Sequence, residues 1–129
     1  MFSCSIEPWL SVRKSAAAID FYKRAFGATE IFRLEAGDGV VARLAVGGAQ
    51  FWVSDESPEH ANFSPESLGG GTVRMMLVVP DPHAMFEQAR EAGASEIHPV
   101  SEMHGWRVGR VADPYGHHWE ICQPIDASE

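Results

Sequence analysis

Apolar residues recur along this chain with two different periods, and the alternation between those periods is itself repeated. Across 15–26 the residues Ala18, Phe21, Tyr22, Ala25 and Phe26 fall at helical spacing and make one apolar stripe. Ser15 stands where an N-cap belongs and Gly27 where a helix ends. Across 81–92 the same design returns: Asp81 as the cap, Pro82 in the first helical position, Met85, Phe86 and Ala89 as the stripe, Gly93 as the stop. A strand is predicted ahead of each helix, over 6–12 and over 73–79, the latter with the run Met75-Met76-Leu77-Val78-Val79. Behind the first helix come strands over 30–34, 40–46 and 50–54, separated by Gly37-Asp38-Gly39 and Gly47-Gly48. Behind the second come 97–100, 106–111 and 118–123, with a turn at Asp113-Pro114-Tyr115-Gly116 before the last.

Each half therefore reads β-α-β-β-β. Gly27-Ala28-Thr29-Glu30-Ile31 reappears as Gly93-Ala94-Ser95-Glu96-Ile97, 66 residues on, at the same point of the pattern. The expected architecture is α+β: two tandem βαβββ modules, 1–54 and 72–129, forming one domain whose curved mixed sheet surrounds a shared cavity. The Pro- and Gly-rich stretch 55–71 is the linker, long enough to serve as a lid or a subunit contact. Apolar surface left uncovered by the two modules calls for a second copy, so a homodimer is expected.

Composition narrows the partners. The chain has 129 residues, 45% hydrophobic and 22% charged, the values of a globular domain. Its net charge of −8 repels nucleic-acid backbones and anionic membranes and favours a small cationic or oxygenated molecule. No apolar run is long enough to span a bilayer, and the first residues lack a basic signal-peptide region, so a cytoplasmic location is expected. Cys4 and Cys122 are then two thiols. Gly69-Gly70-Gly71 lacks phosphate-loop spacing and no Gly-x-Ser-x-Gly elbow occurs.

The repeat, the phrase Ala18-Ile19-Asp20-Phe21-Tyr22-Lys23-Arg24-Ala25-Phe26-Gly27-Ala28 and the closing phrase Asp113-Pro114-Tyr115-Gly116-His117-His118-Trp119-Glu120-Ile121 resemble the vicinal oxygen chelate superfamily. That superfamily holds glyoxalase I, bleomycin-resistance proteins and extradiol dioxygenases, and the branch most resembled is the PhnB-like one. The resemblance implies a divalent ion held by one His or Glu from each of four strands, chelating neighbouring substrate oxygens. By position those places fall on Glu7, on Gln50 or Trp52, on Arg74 and on Glu120.

Arg74 is the departure. A guanidinium stays protonated and cannot ligate a cation. The expected arrangement is a charge-neutralising cluster of Glu7, Arg74 and Glu120, with Arg74 bridging one or both carboxylates, and no metal. Glu120 remains the candidate catalytic group. Glu7, Arg74, Trp52, Trp106, Arg107 and His118 are the candidate substrate contacts, Trp106 offering a stacking face and Arg107 an anion fork. The alternative is a divalent-metal lyase, isomerase or dioxygenase using Glu120 with Glu7 or His118, which shares the Glu120 face by alternation. Packing in the core or at an interface is the competing account of Trp9, Trp52 and Trp119, ordinary strand packing that of Trp106, and core strand positions that of Met75 and Met76.

Overall fold

The structure is a computed structural model that describes residues 3–125, the side chain of Ala36 excepted. The outer ends of the two expected modules, residues 1–2 and 126–129, lie outside the described residues. The first module runs β1 (Trp9–Val12), α1 (Ser15–Phe26), β2 (Thr29–Ala36), β3 (Gly39–Val46) and β4 (Ala49–Asp55). A 3₁₀ turn (Pro58–His60) and the short α2 (Pro65–Leu68) follow. The second module runs β5 (Arg74–Val78), α3 (Pro82–Ala92), β6 (Ser95–Met103), β7 (Trp106–Ala112) and β8 (His118–Pro124). Each module builds its own four-stranded mixed sheet, ordered β1-β4-β3-β2 and β5-β8-β7-β6.

Local chemistry accounts for the boundaries. β1 begins at Trp9 rather than at residue 6 because Pro8 has no N–H to give the ladder. Its carbonyl still accepts from Trp52 N at 2.8 Å, which keeps Glu7 beside the sheet. β6 extends well past 97–100 despite Pro99, since it is an edge strand and its two register shifts absorb the missing donor. His104 and Gly105, both with positive φ, make the tight turn into β7.

Ser15 is not the N-cap of α1. It is the first helical residue, and its Oγ accepts from Val40 N at 2.9 Å. The free helix N–H of Ser15 is instead taken by Asp55 Oδ1 at 2.8 Å, a cap supplied from the end of β4. Asp81 caps α3 as expected, accepting from Ala84 N at 3.1 Å. Gly27 ends α1 in the left-handed conformation.

The apolar stripe of α1 packs on one face of the first sheet, against Leu10, Val12, Val40, Ala42, Leu44, Phe51 and Val53. Phe86 and Ala89 of α3 do the same on the second sheet with Leu77, Val111, Trp119 and Ile121. Each fully buried side chain of this size contributes about 1.5–3 kcal/mol relative to exposure. The helices also touch each other: Arg24 Nη1 donates to Ala92 O and Gln88 Nε2 to Arg24 O, both at 3.0 Å.

Asp113 joins the modules. It is 4% exposed and accepts four hydrogen bonds. Tyr22 of α1 donates through its hydroxyl, Trp119 through Nε1 at 2.9 Å, and the backbone N–H groups of Tyr115 and His117 at 2.9 and 3.0 Å. Burial first, and then the Asp113 charge, push the Tyr22 hydroxyl well above its ordinary range, so it stays a donor. His117 crosses the same boundary: Nε2 donates to Ser11 O at 2.9 Å, which requires the proton on Nε2.

Candidate functional site

Strand alternation decides which side chains look away from the helices. In the first sheet these are Glu7, Trp9, Arg43 and Trp52; in the second, Arg74, Met76, Arg110, His118 and Glu120. Register makes the two sets equivalent. Leu10 pairs with Val53 as Leu77 pairs with Ile121, and Arg43 opposes Trp52 as Arg110 opposes Glu120. The strand place of Glu7 in the first module is therefore that of Arg74 in the second, and the place of Trp52 is that of Glu120. Trp52, and not Gln50, is the strand equivalent of Glu120.

In each module an arginine of the neighbouring strand holds one carboxylate. In the first, Arg43 grips Glu7 with two parallel bonds, Nε to Oε1 at 3.0 Å and Nη2 to Oε2 at 2.5 Å. Trp52 Nε1 adds a third bond to Oε1 at 2.9 Å. The Arg43 guanidinium also sits 5.5 Å from the Trp52 ring centroid, and Trp9 stacks on Trp52 at 4.9 Å. The Arg43 hydrogen bonds, chiefly, hold the Glu7 carboxyl below the usual carboxylate range.

In the second module Glu120 Oε2 receives Arg110 through Nη2 at 2.6 Å and Nε at 3.2 Å, with Arg74 Nε at 2.8 Å. The expected single cluster is thus two separate ones. Arg74 bridges to Glu120 alone, because Glu7 is already saturated by Arg43 and Trp52 from its own sheet. Arg43 and Arg110 went unmarked in the sequence reading. Their signal is an arginine set among apolar and small residues of a strand, Val41-Ala42-Arg43-Leu44-Ala45 and Val108-Gly109-Arg110-Val111.

Between the two sheets lies a cavity of about 870 Å³. Its walls come from β1, β4 and β5 together with Phe63, Pro65 and Leu68 of the linker. The linker is itself anchored: Glu56 accepts from Ser64 N and Ser67 Oγ, both at 2.9 Å. Glu7 and Arg74 line this cavity. His118 and Arg110 line a smaller cleft of about 160 Å³ that also contains Arg74. Trp106 and Arg107 line neither space. Adjacent on β7, they point to opposite faces, and Arg107 is held by Gln123 at 3.0 Å and Glu102 at 3.2 Å. Trp119 is core; Met76, 56% exposed, is not the core residue the sequence suggested, and Trp9, 55% exposed, is outside the core.

A divalent ion does not suit this arrangement. Of the four equivalent strand places two hold carboxylates already engaged by guanidinium groups, and the other two hold an arginine and a tryptophan. Among the described residues no three His, Cys, Asp or Glu side chains converge. Cys4 and Cys122 are both free thiols.

The Arg110 hydrogen bonds are the largest influence on Glu120 and lower its pKa, assisted by the Arg110 and Arg74 charges against a smaller effect of burial. A lowered carboxyl pKa stabilises the fold above the unfolded value of about 4.3, and that contribution disappears as pH falls through the folded value. Glu120→Gln should lower stability at pH 7 by about 1 kcal/mol or less, since the site is partly wet. The difference from wild type should vanish well below pH 4.3. Melting curves across that range check it; a difference that persists in acid would contradict the assigned ion pairs.

The comparisons with known proteins agree with this architecture. Residues 6–121 match the family model of the Glyoxalase/Bleomycin resistance protein/Dioxygenase superfamily. An uncharacterized protein of Mycobacterium bovis is 39% identical over 127 residues, covering 94% of this chain and 84% of that protein. A gene product of Arabidopsis thaliana is similar in structure, with a TM-score of 0.69 and 29% identity, over 94% of this chain and 98% of that one. TioX from Micromonospora sp. ML1 superposes with a TM-score of 0.71 and 26% identity, over 98% and 100% of the two chains.

Proposed function

Since the chain belongs to the glyoxalase/bleomycin resistance protein/dioxygenase superfamily, we propose that it binds a small molecule between its modules and works without the four-ligand metal centre. One observation carries this reading. Both carboxylates that could serve a cation, Glu7 and Glu120, are neutralised by arginines of their own sheets beside an apolar cavity large enough for a drug-sized ligand. Glu7 and Arg74 would meet the ligand in the cavity, His118 in the cleft, with Trp52 behind Glu7. Glu120 orients the arginines around it. The helix phrase and the Asp113–Ile121 phrase favour the PhnB-like branch.

A homodimer belongs to the same reading. Trp9, Phe32, Met76 and Val78 leave large apolar areas exposed on the sheet faces turned away from the helices. Patches of that kind on a soluble chain mark contact surfaces. No helix among the described residues is long and apolar enough to cross a membrane.

Protein purified without chelator tests the proposal. It should contain no stoichiometric metal, gain no thermal stability from added Ni, Mn, Zn or Fe ions, and run as a dimer in light scattering. Stoichiometric metal, or stabilisation by one of these ions that Glu120→Gln abolishes, would replace this reading with a metal-dependent lyase, isomerase or dioxygenase built on Glu120.

A further inference from the structure

We propose that the cleft at Arg74 and Arg110 is a carboxylate subsite, and that the ligand is an amphipathic monoanion whose apolar body fills the adjoining cavity. The inference rests on the small-molecule reading above and names its chemical class.

Charge is the first argument. Arg74, Arg110 and Glu120 carry two positive charges against one negative, so the cluster is left with a net positive charge on a chain whose total is −8. The first module differs: there Arg43 and Glu7 cancel. The chain-wide acidity therefore misdescribes the site, and a cationic ligand would meet an uncompensated guanidinium.

Donor geometry is the second. Arg110 donates two hydrogen bonds to one oxygen, Glu120 Oε2, and Arg74 Nε forms an ion pair with the same oxygen at 2.8 Å. Among the described residues neither Nη atom of Arg74 donates a hydrogen bond. Arg110 uses Nε and Nη2, leaving Nη1. Guanidinium forks with free N–H groups match the two coplanar oxygens of a carboxylate. One charge balances the excess, whereas a dianionic phosphate monoester would overshoot it.

Shape is the third. The cleft of about 160 Å³ has room for a head group and includes Thr72 and His118 on its walls. It shares Arg74, Thr72, Val73 and His117 with the cavity of about 870 Å³. That cavity is walled by Leu10, Phe51, Phe63, Leu68, Met75 and Trp119, among others, which calls for an aromatic or acyl body.

Calorimetric titration with four probes tests this. Three share one ring system: 2-naphthoate, its neutral amide, and the cationic 2-naphthylmethylammonium. Decanoate supplies the acyl alternative. At least one carboxylate should bind roughly tenfold or more tighter than the amide and the cation, in keeping with a charge-assisted bond. Which carboxylate binds distinguishes an aromatic from an acyl ligand. Arg74→Gln, at a residue 59% exposed on its side chain, should remove that preference without unfolding the chain. Arg90→Gln, on α3 and remote from the cleft, should keep it. Failure of both carboxylates to bind more tightly than the amide, or a preference for the cation, overturns the carboxylate subsite and leaves the cavity reading standing. Binding of none of the four overturns both.

Discussion

Asp113→Ala should lower stability by about 3–5 kcal/mol, the cost of breaking a buried charged hydrogen-bond network. For a chain of this size that is a fall in melting temperature on the order of 10–20 °C. The argument is one of donors left without an acceptor. Removing the carboxylate strands the Tyr22 hydroxyl, the Trp119 indole N–H and the backbone N–H groups of Tyr115 and His117 in the core. Tyr22→Phe removes one donor and leaves the other three satisfied, so it should cost only about 1–2 kcal/mol. Denaturant unfolding of the two variants measures both. An Asp113→Ala variant within 1 kcal/mol of wild type, a threshold set by the ordinary cost of one neutral hydrogen bond, would show that Asp113 does not hold the modules together. The site shares that dependence, because the cavity draws its walls from both modules and His117, whose N–H is held by Asp113, lines cavity and cleft alike.

Gly39→Ala should cost about 2–3 kcal/mol, combining overpacking with loss of a helix cap. A methyl group there would overlap the Asp55 carboxylate, whose Oδ1 caps α1 through Ser15 N. The backbone at Gly39 is otherwise ordinary; only Gly37, two residues earlier, has a positive φ in this turn. The clash therefore has one source, and it can be removed. In an Asp55→Ala background, which itself forfeits about 1 kcal/mol of capping, Gly39→Ala should become nearly neutral. Equal costs in both backgrounds would refute the close approach as the reason for glycine.

The turn at Gly37-Asp38-Gly39 also shows where sequence reading reaches its limit. Two glycines around an aspartate predict a turn, and β2 and β3 do reverse there. Why the third residue is glycine depends on Asp55, an acid brought alongside only when β4 folds back. The same holds for Ser15. Its side chain is of the capping type and its position is right within a residue, yet the cap arrives from β4 and the serine serves β3 instead.

Candidate-site residues divide in the same way. Glu7, Arg74 and Glu120 were visible because the family resemblance, carried over by position, put its metal-ligand places on them. Their partners were not, since Arg43 and Arg110 lie on the neighbouring strands and meet the carboxylates only through cross-strand register. Trp106 and Arg107, expected at the pocket edge from the family resemblance, line neither cavity nor cleft, and the pleat turns them to opposite faces.

What the sequence by itself determined is the duplicated βαβββ order, the helix faces and stops, and the presence of an arginine where a cation ligand is expected. The order, faces and stops follow from periodicity and residue chemistry, which act over a few residues; the place of the arginine follows from the family resemblance together with the chemistry of a guanidinium. The tertiary structure alone decided which arginine meets which carboxylate, that Asp113 locks the two halves, and that the cleft is left with a positive charge. Those outcomes depend on side chains many residues apart arriving at one place, and distance along the chain carries no record of that meeting.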